Sequence, residues 1–293
     1  MSKLYLLAGP TTSGKTAFSI DFAQRYNCEI LSCDAFCFYK GMDIGTAKPS
    51  LTDQNTVKHW GIDILAPNEY FSIKDYINYA HKCVQDIIHR GYNVLVVGGS
   101  GFYLKSFLAP VADDVVIPEE IEQKISYLEE CGGLDLLVKL LKEINHAQDL
   151  DIDFKNPRKV KKALARCWAT GKTLQELEDE LWHQDNPLGY LSKETFLIQS
   201  PIELLRWRIR QRAQKMLKGG LLEEVKGLLD SKQLIPNTPA AAAIGYRETL
   251  SYLLGEITKE QLYEQIVQNT YALVKKQMTW FRYQIHFNHY LYL

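Results

Sequence analysis

Short apolar runs alternate with helical patterns over the first third of the chain. They run from Lys3 to Ala8, then an amphipathic stretch from Thr16 to Tyr26, then Glu29 to Cys33, a helical period from Tyr76 to Arg90, and Val94 to Val97. Such alternation reads as strand, crossover helix, strand, and hence as a parallel sheet buried on both faces. After Pro110 the strand-like runs stop. From Pro118 to about Gln184 apolar positions recur at helical spacing, with Gly132-Gly133 and Gly171 as interruptions. Strand character returns at Glu194 to Gln199, and Ser200-Pro201-x-Glu203 reads as a capping box with proline at the first helical position. The pattern predicts an α/β core over 1–112 and 192–293, ending in further helices, with a helical domain inserted over 113–191.

Composition agrees with a packed protein: 46% of the 293 residues are hydrophobic and 24% charged, near globular averages. No apolar run approaches the roughly 20 residues that cross a bilayer, and Lys3 to Ala8 is too short for a signal-peptide core. A cytoplasmic protein without a membrane segment is expected. The six cysteines, at 28, 33, 37, 83, 131 and 167, never form a two-residue-spaced pair, so they read as reduced thiols rather than as a zinc ribbon or redox motif. His286 and His289 have no cysteine pair ahead of them and are not expected to hold zinc.

The net charge of -1 conceals segregation. Residues 113 to 130 carry seven acids against Lys124, whereas Lys155, Arg158, Lys159, Lys161, Lys162 and Arg166 stand in a stretch with no acid. Whole-chain neutrality therefore does not exclude a polyanionic partner.

Gly9-Pro10-Thr11-Thr12-Ser13-Gly14-Lys15-Thr16 fits the phosphate-binding loop pattern and lies between an apolar strand and an amphipathic helix, where the mechanism needs it. Backbone N–H groups of such a loop point at phosphate oxygens, Lys15 adds a point charge, and the Thr16 hydroxyl can ligate magnesium. The loop alone fits ATP or a pyrophosphate ester. Asp34 follows the second strand run, which places it at the sheet edge that holds the loop. There it could be a general base or an outer magnesium ligand, or merely cap a following helix.

From Ser32-Cys33-Asp34-Ala35-Phe36-Cys37 through Gly45-Thr46-Ala47-Lys48-Pro49, the chain closely resembles a signature of the tRNA dimethylallyltransferase family. The similarity continues through His59 to Asp63, Val97 to Tyr103, Gly171 to Leu174, Ile244 to Arg247 and Lys275 to Arg282, in the family's order. The resemblance implies a P-loop NTPase-like fold. It also implies magnesium-dependent transfer of a dimethylallyl group from dimethylallyl pyrophosphate to the exocyclic amine of the adenosine 3′ of a tRNA anticodon. In that family the loop grips pyrophosphate instead of hydrolysing ATP. By matching position Asp34 is the base, Lys15 and Thr16 hold pyrophosphate and metal, Arg208 reaches the pyrophosphate, and Ser100 lies beside the reacting base. Ala35, Phe36, Cys37, Gly245, Tyr246, Arg247, Lys275, Lys276, Gln277 and Arg282 fall in blocks expected to meet tRNA. Ala35 and Cys37 replace the family's usual serine and glutamine or leucine, which leaves only backbone contacts there. Asn156 and Arg166 stand where acids are usual.

Asn156-Pro157 is a helix start and Gly171 a stop. Between them Arg158, Lys162 and Arg166 share one face. With Lys159 and Lys161 they read as a footprint for phosphate neutralisation rather than a solvated stripe. Trp168 and Trp280 read as core before base-stacking platforms. A monomer acting on tRNA is expected; the rivals are a prenyltransferase using free AMP, ADP or ATP, a small-molecule kinase, and a tRNA-binding module that senses nucleotide.

Overall fold

The computed structural model describes residues 2–146, 150–184, 188–236 and 238–293. Two compact units emerge, one formed by Met1–Leu108 with Pro187–Leu293 and the other by Ala109–Asn186.

The first unit opens with β1 (Lys3–Ala8), α1 (Lys15–Arg25), β2 (Cys28–Ser32), α2 (Leu51–Thr56), β3 (His59–Trp60), α3 (Ile73–His89), β4 (Asn93–Gly98) and α4 (Gly101–Lys105). The second unit holds α5 (Glu119–Ile144), α6 (Pro157–Thr170) and α7 (Leu174–Trp182). The chain then returns to the first unit with β5 (Ser192–Gln199), α8 (Ile202–Lys218), α9 (Leu221–Asp230), α10 (Tyr246–Leu253), α11 (Lys259–Gln284) and β6 (His289–Tyr292).

All the strand pairings are parallel, in the order β3-β2-β4-β1-β5-β6. Alternate residues of the central strand face opposite cores. Leu4 and Leu6 pack with Tyr76, Val94, Val96 and Phe281, while Tyr5 and Leu7 pack with Phe22, Ile30, Leu95 and Ile198. Both faces are covered, as a parallel sheet requires. Because the strands run one way, the segments leaving β1, β2, β4 and β5 emerge along one edge. A further cluster joins Met42 after β2 to Leu221, Val225, Tyr246 and Leu262 of α9, α10 and α11.

Two expectations are corrected. The chain does not end in helices, because β6 adds a parallel edge strand, with Phe196 opposite His289 and Gln199 opposite Tyr292. His289 stacks on Phe196 at 4.6 Å between ring centroids, a packing role. The capping box at Ser200 also fails. Pro201 is extended (ψ 139°) and α8 starts one residue later, so the serine and glutamate lose their register. Glu203 instead pairs with Arg206 at 2.9 Å.

In the second unit α5 is kinked at Gly133, whose φ is 64°. At the start of α6, Asn156 Oδ1 accepts the Lys159 N–H at 3.3 Å, with Pro157 in the first turn, and Gly171 ends it at φ 71°. Leu137, Leu141, Val160 and Leu164 form the core. Buried Asn145 donates to Leu141 O at 2.8 Å and accepts from Leu174 N–H at 2.7 Å, joining α5 to the start of α7.

Candidate active site

The loop between β1 and α1 takes its shape from residues that few others replace. Gly14 caps α1 in the left-handed region at φ 93°, where a Cβ would be strained. Ser13 N–H donates to Pro10 O at 3.2 Å, and Phe18 N–H makes the first helical bond to Gly14 O. The amides of Lys15, Thr16 and Ala17 precede that bond and form the positive end of α1. The hydroxyls of Thr12 and Ser13 are buried and have no hydrogen-bond partner. Such groups are costly unless a ligand satisfies them.

Lys15 Nζ donates to Gly9 O and Pro10 O, both at 2.8 Å. Burial lowers its pKa from 10.5 to about 8; the negative charge of Asp34 opposes that shift and the positive charge of Arg212 adds to it. Arg208 reaches the loop from α8 and donates to Thr12 O at 3.4 Å. One turn later Arg212 donates to Thr46 O at 3.1 Å. Its four-residue spacing from Arg208 puts both side chains on one face of α8.

Asp34 stands just beyond β2. Its Oδ1 accepts the Phe36 N–H at 3.2 Å, and its carbonyl accepts the Cys37 N–H at 3.1 Å. It therefore caps a turn rather than a helix, since α2 begins only at Leu51. Ala35 N–H points to Ser100 Oγ at 3.5 Å, which brings the Ser100 segment to the Asp34 turn. That approach depends on Gly98, because a Cβ there would overlap the backbone of Cys33. Cys37 is buried, with its thiol pKa pushed up by burial.

Lys15, Thr16, Asp34, Arg208 and Arg212 line one cavity of about 900 Å³. Ile44, Ile62, Val97 and Met216 supply apolar wall beside them. Ile44, Ile62 and Val97 stand in the blocks that match the family, but nothing in the sequence singled these residues out as cavity wall.

The family model for IPP transferases matches residues 37–284. The chain belongs to that family. A tRNA dimethylallyltransferase from Opitutus terrae is 42% identical over 284 residues, covering 97% of this chain and 91% of the relative. One from Francisella tularensis subsp. novicida is 36% identical over 289 residues, covering 96% and 91%. The crystal structure of a Bacillus halodurans tRNA isopentenylpyrophosphate transferase superposes with a TM-score of 0.69 at 28% identity, covering all of this chain and 90% of that one. A eukaryotic dimethylallyltransferase described as acting on tRNA shares the fold, with a TM-score of 0.81 at 24% identity over 96% and 70% of the two chains. The fold is thus P-loop-like and the family's activity is prenyl transfer.

Several residues expected to meet tRNA have other occupations in this structure. Tyr246 is fully buried, and its hydroxyl donates to Glu224, whose carboxylate also accepts the N–H groups of Asp43 and Ile44 at 3.0 and 2.9 Å. Gly245 N–H and Arg247 both bond buried Glu248. Gln277 is bonded to the phosphate loop and to Gly99. Lys275, Lys276 and Arg282 are exposed. Trp280 packs against the core over Gly101, and Trp168 packs in the helical unit with Lys124 over its ring.

The basic stripe is also altered by pairing. Arg166 binds Asp113, and Lys161 binds Glu129 at 2.8 Å. The acidic and basic stretches thus partly neutralise one another within this unit, because α5 and α6 pack together. Arg158, Lys159 and Lys162 remain exposed.

Proposed function

We propose that this chain transfers a dimethylallyl group from dimethylallyl pyrophosphate to the exocyclic amine of the adenosine 3′ of a tRNA anticodon. The observation that carries the reading is the shared cavity. A phosphate cradle with two unpartnered buried hydroxyls opens onto the same space as Asp34, beside an apolar wall that suits a five-carbon tail.

The amine nitrogen attacks the allylic carbon, the carbon–oxygen bond breaks, and pyrophosphate leaves with the electron pair. Asp34 accepts the amine's proton. Lys15, Arg208 and the amides at the start of α1 stabilise the charge that grows on the departing pyrophosphate. The adenine must leave its stack to present its amine, and Ser100 lies where the base would rest against the Asp34 turn. The oxygen donors Thr16 and Asp34 fit magnesium, which takes few protein ligands and fills its shell with phosphate oxygens and water. Held by Thr16, magnesium would supply charge neutralisation for the leaving group.

Transfer to tRNA rather than to a free nucleotide is supported by relatives named for tRNA and by exposed Arg158, Lys159 and Lys162. We further propose a monomer working in the cytoplasm; among the described residues no helix is long and apolar enough to cross a membrane. Mass spectrometry of products from dimethylallyl pyrophosphate offered with tRNA, AMP or ATP tests the reading. Prenylated tRNA alone is expected. Prenylated mononucleotide, or ATP turnover without prenyl donor, would overturn it.

A further inference from the structure

Gln277 lies on α11, far in sequence from both segments it touches. Its Oε1 accepts the Thr11 N–H at 2.9 Å, and its Nε2 donates to Gly99 O at 2.9 Å. A neutral side-chain amide can accept from one backbone and donate to another at once. One side chain therefore ties the phosphate loop leaving β1 to the segment leaving β4. Three residues along the same helix face, Trp280 presses its ring on Gly101, where a Cβ would overlap it. The residue between Gly99 and Gly101 is Ser100, which reaches the Asp34 turn through Ala35 N–H.

We propose that Gln277 is a positioning residue: it sets the spacing between the pyrophosphate cradle and the Ser100–Asp34 edge where the acceptor amine is held. The inference rests on the prenyl-transfer reading above. Its physical basis is that in-line attack tolerates little error, a displacement near one ångström costing about 100-fold in rate. Turning Thr11 N–H toward Gln277 also fixes which loop amides remain for pyrophosphate.

The test compares the wild type with Gln277→Met, which keeps length and loses both bonds, and Gln277→Glu, which keeps the acceptor and loses the donor. Single-turnover transfer at saturating tRNA and prenyl donor should slow about 10- to 100-fold in Gln277→Met, with the tRNA Kd within about two-fold of wild type. Gln277→Glu should also be slow, because its carboxylate faces Gly99 O without a proton to give. Unchanged saturated rates with weaker tRNA binding would overturn the proposal and make Gln277 a direct tRNA contact. Rates restored fully after correction for the folded fraction would overturn it too, leaving an ordinary packing role. If the wild type transfers no prenyl group, the functional reading fails separately. Titration with magnesium pyrophosphate then still decides: weaker binding by Gln277→Met, about five-fold or more, supports the tie to the loop, and equal binding overturns it.

Discussion

Asp34 acts on Lys15 through its charge rather than a hydrogen bond. Lys15 Nζ is engaged by the Gly9 and Pro10 carbonyls, while the carboxylate counters part of the burial that lowers the ammonium to about 8. The free protein should therefore lose loop charge as pH rises through about 8, and pyrophosphate affinity should fall over that range. Asp34→Asn removes the influence that raises the pKa, so the fall should begin at lower pH. The native state sheds this proton before the unfolded chain does, so between about 8 and 10.5 the Lys15 contribution favours folding as pH rises. Pyrophosphate titrations across pH check the shift; a break at the same or higher pH in Asp34→Asn would contradict it.

On the proposed reading the loop holds a leaving group rather than a hydrolysed triphosphate. Lys15→Ala should abolish prenyl transfer while a filter-binding assay still finds tRNA bound, because the exposed bases of α6 are untouched. Loss of tRNA binding in this variant would contradict the division of labour.

Tyr246 is tied to the cavity wall through Glu224. Its hydroxyl and the Asp43 and Ile44 amides converge on Glu224, and Ile44 lines the cavity. Tyr246→Phe should cost about 1–2 kcal/mol in a urea melt and raise the KM for the prenyl donor. The tRNA Kd should stay near wild type. A large rise in that Kd with unchanged stability would show tRNA contact instead.

On α6, Arg158→Ala and Lys162→Ala should each reduce the magnitude of the log-affinity against log-salt slope by up to about one unit. Arg166→Ala should act differently. It leaves partly buried Asp113 without its partner, so stability should fall by about 1–3 kcal/mol with little change in slope. Equal slope changes for all three would put Arg166 back on the polyanion surface.

The parts of the fold that were legible rest on local pattern. The phosphate loop lies between an apolar strand run and an amphipathic helix, and Asn156-Pro157 and Gly171 bound α6 because caps act within one turn. The β6 strand was not legible: His289 to Tyr292 is mostly exposed and is a strand only through pairing with β5. Motif similarity also could not separate buried, internally bonded residues from exposed ones. Tyr246 and Gln277 stand in the same matching blocks as exposed Arg247, Lys275 and Lys276, and only their long-range partners Glu224, Thr11 and Gly99 reveal the difference. Arg166 is similar, since its partner Asp113 is 53 residues away.

On the proposed mechanism Asp34 takes the proton from a tRNA adenosine amine as the prenyl group arrives. Asp34→Asn keeps the Oδ1 acceptor that closes the turn at Phe36, so it removes the base and spares the local fold. The deciding measurement is single-turnover transfer to tRNA at saturating prenyl donor, followed by mass spectrometry of the nucleoside. The rate should fall about 10² to 10⁴-fold below wild type with tRNA affinity unchanged. A rate near wild type would contradict it and reduce Asp34 to a turn cap.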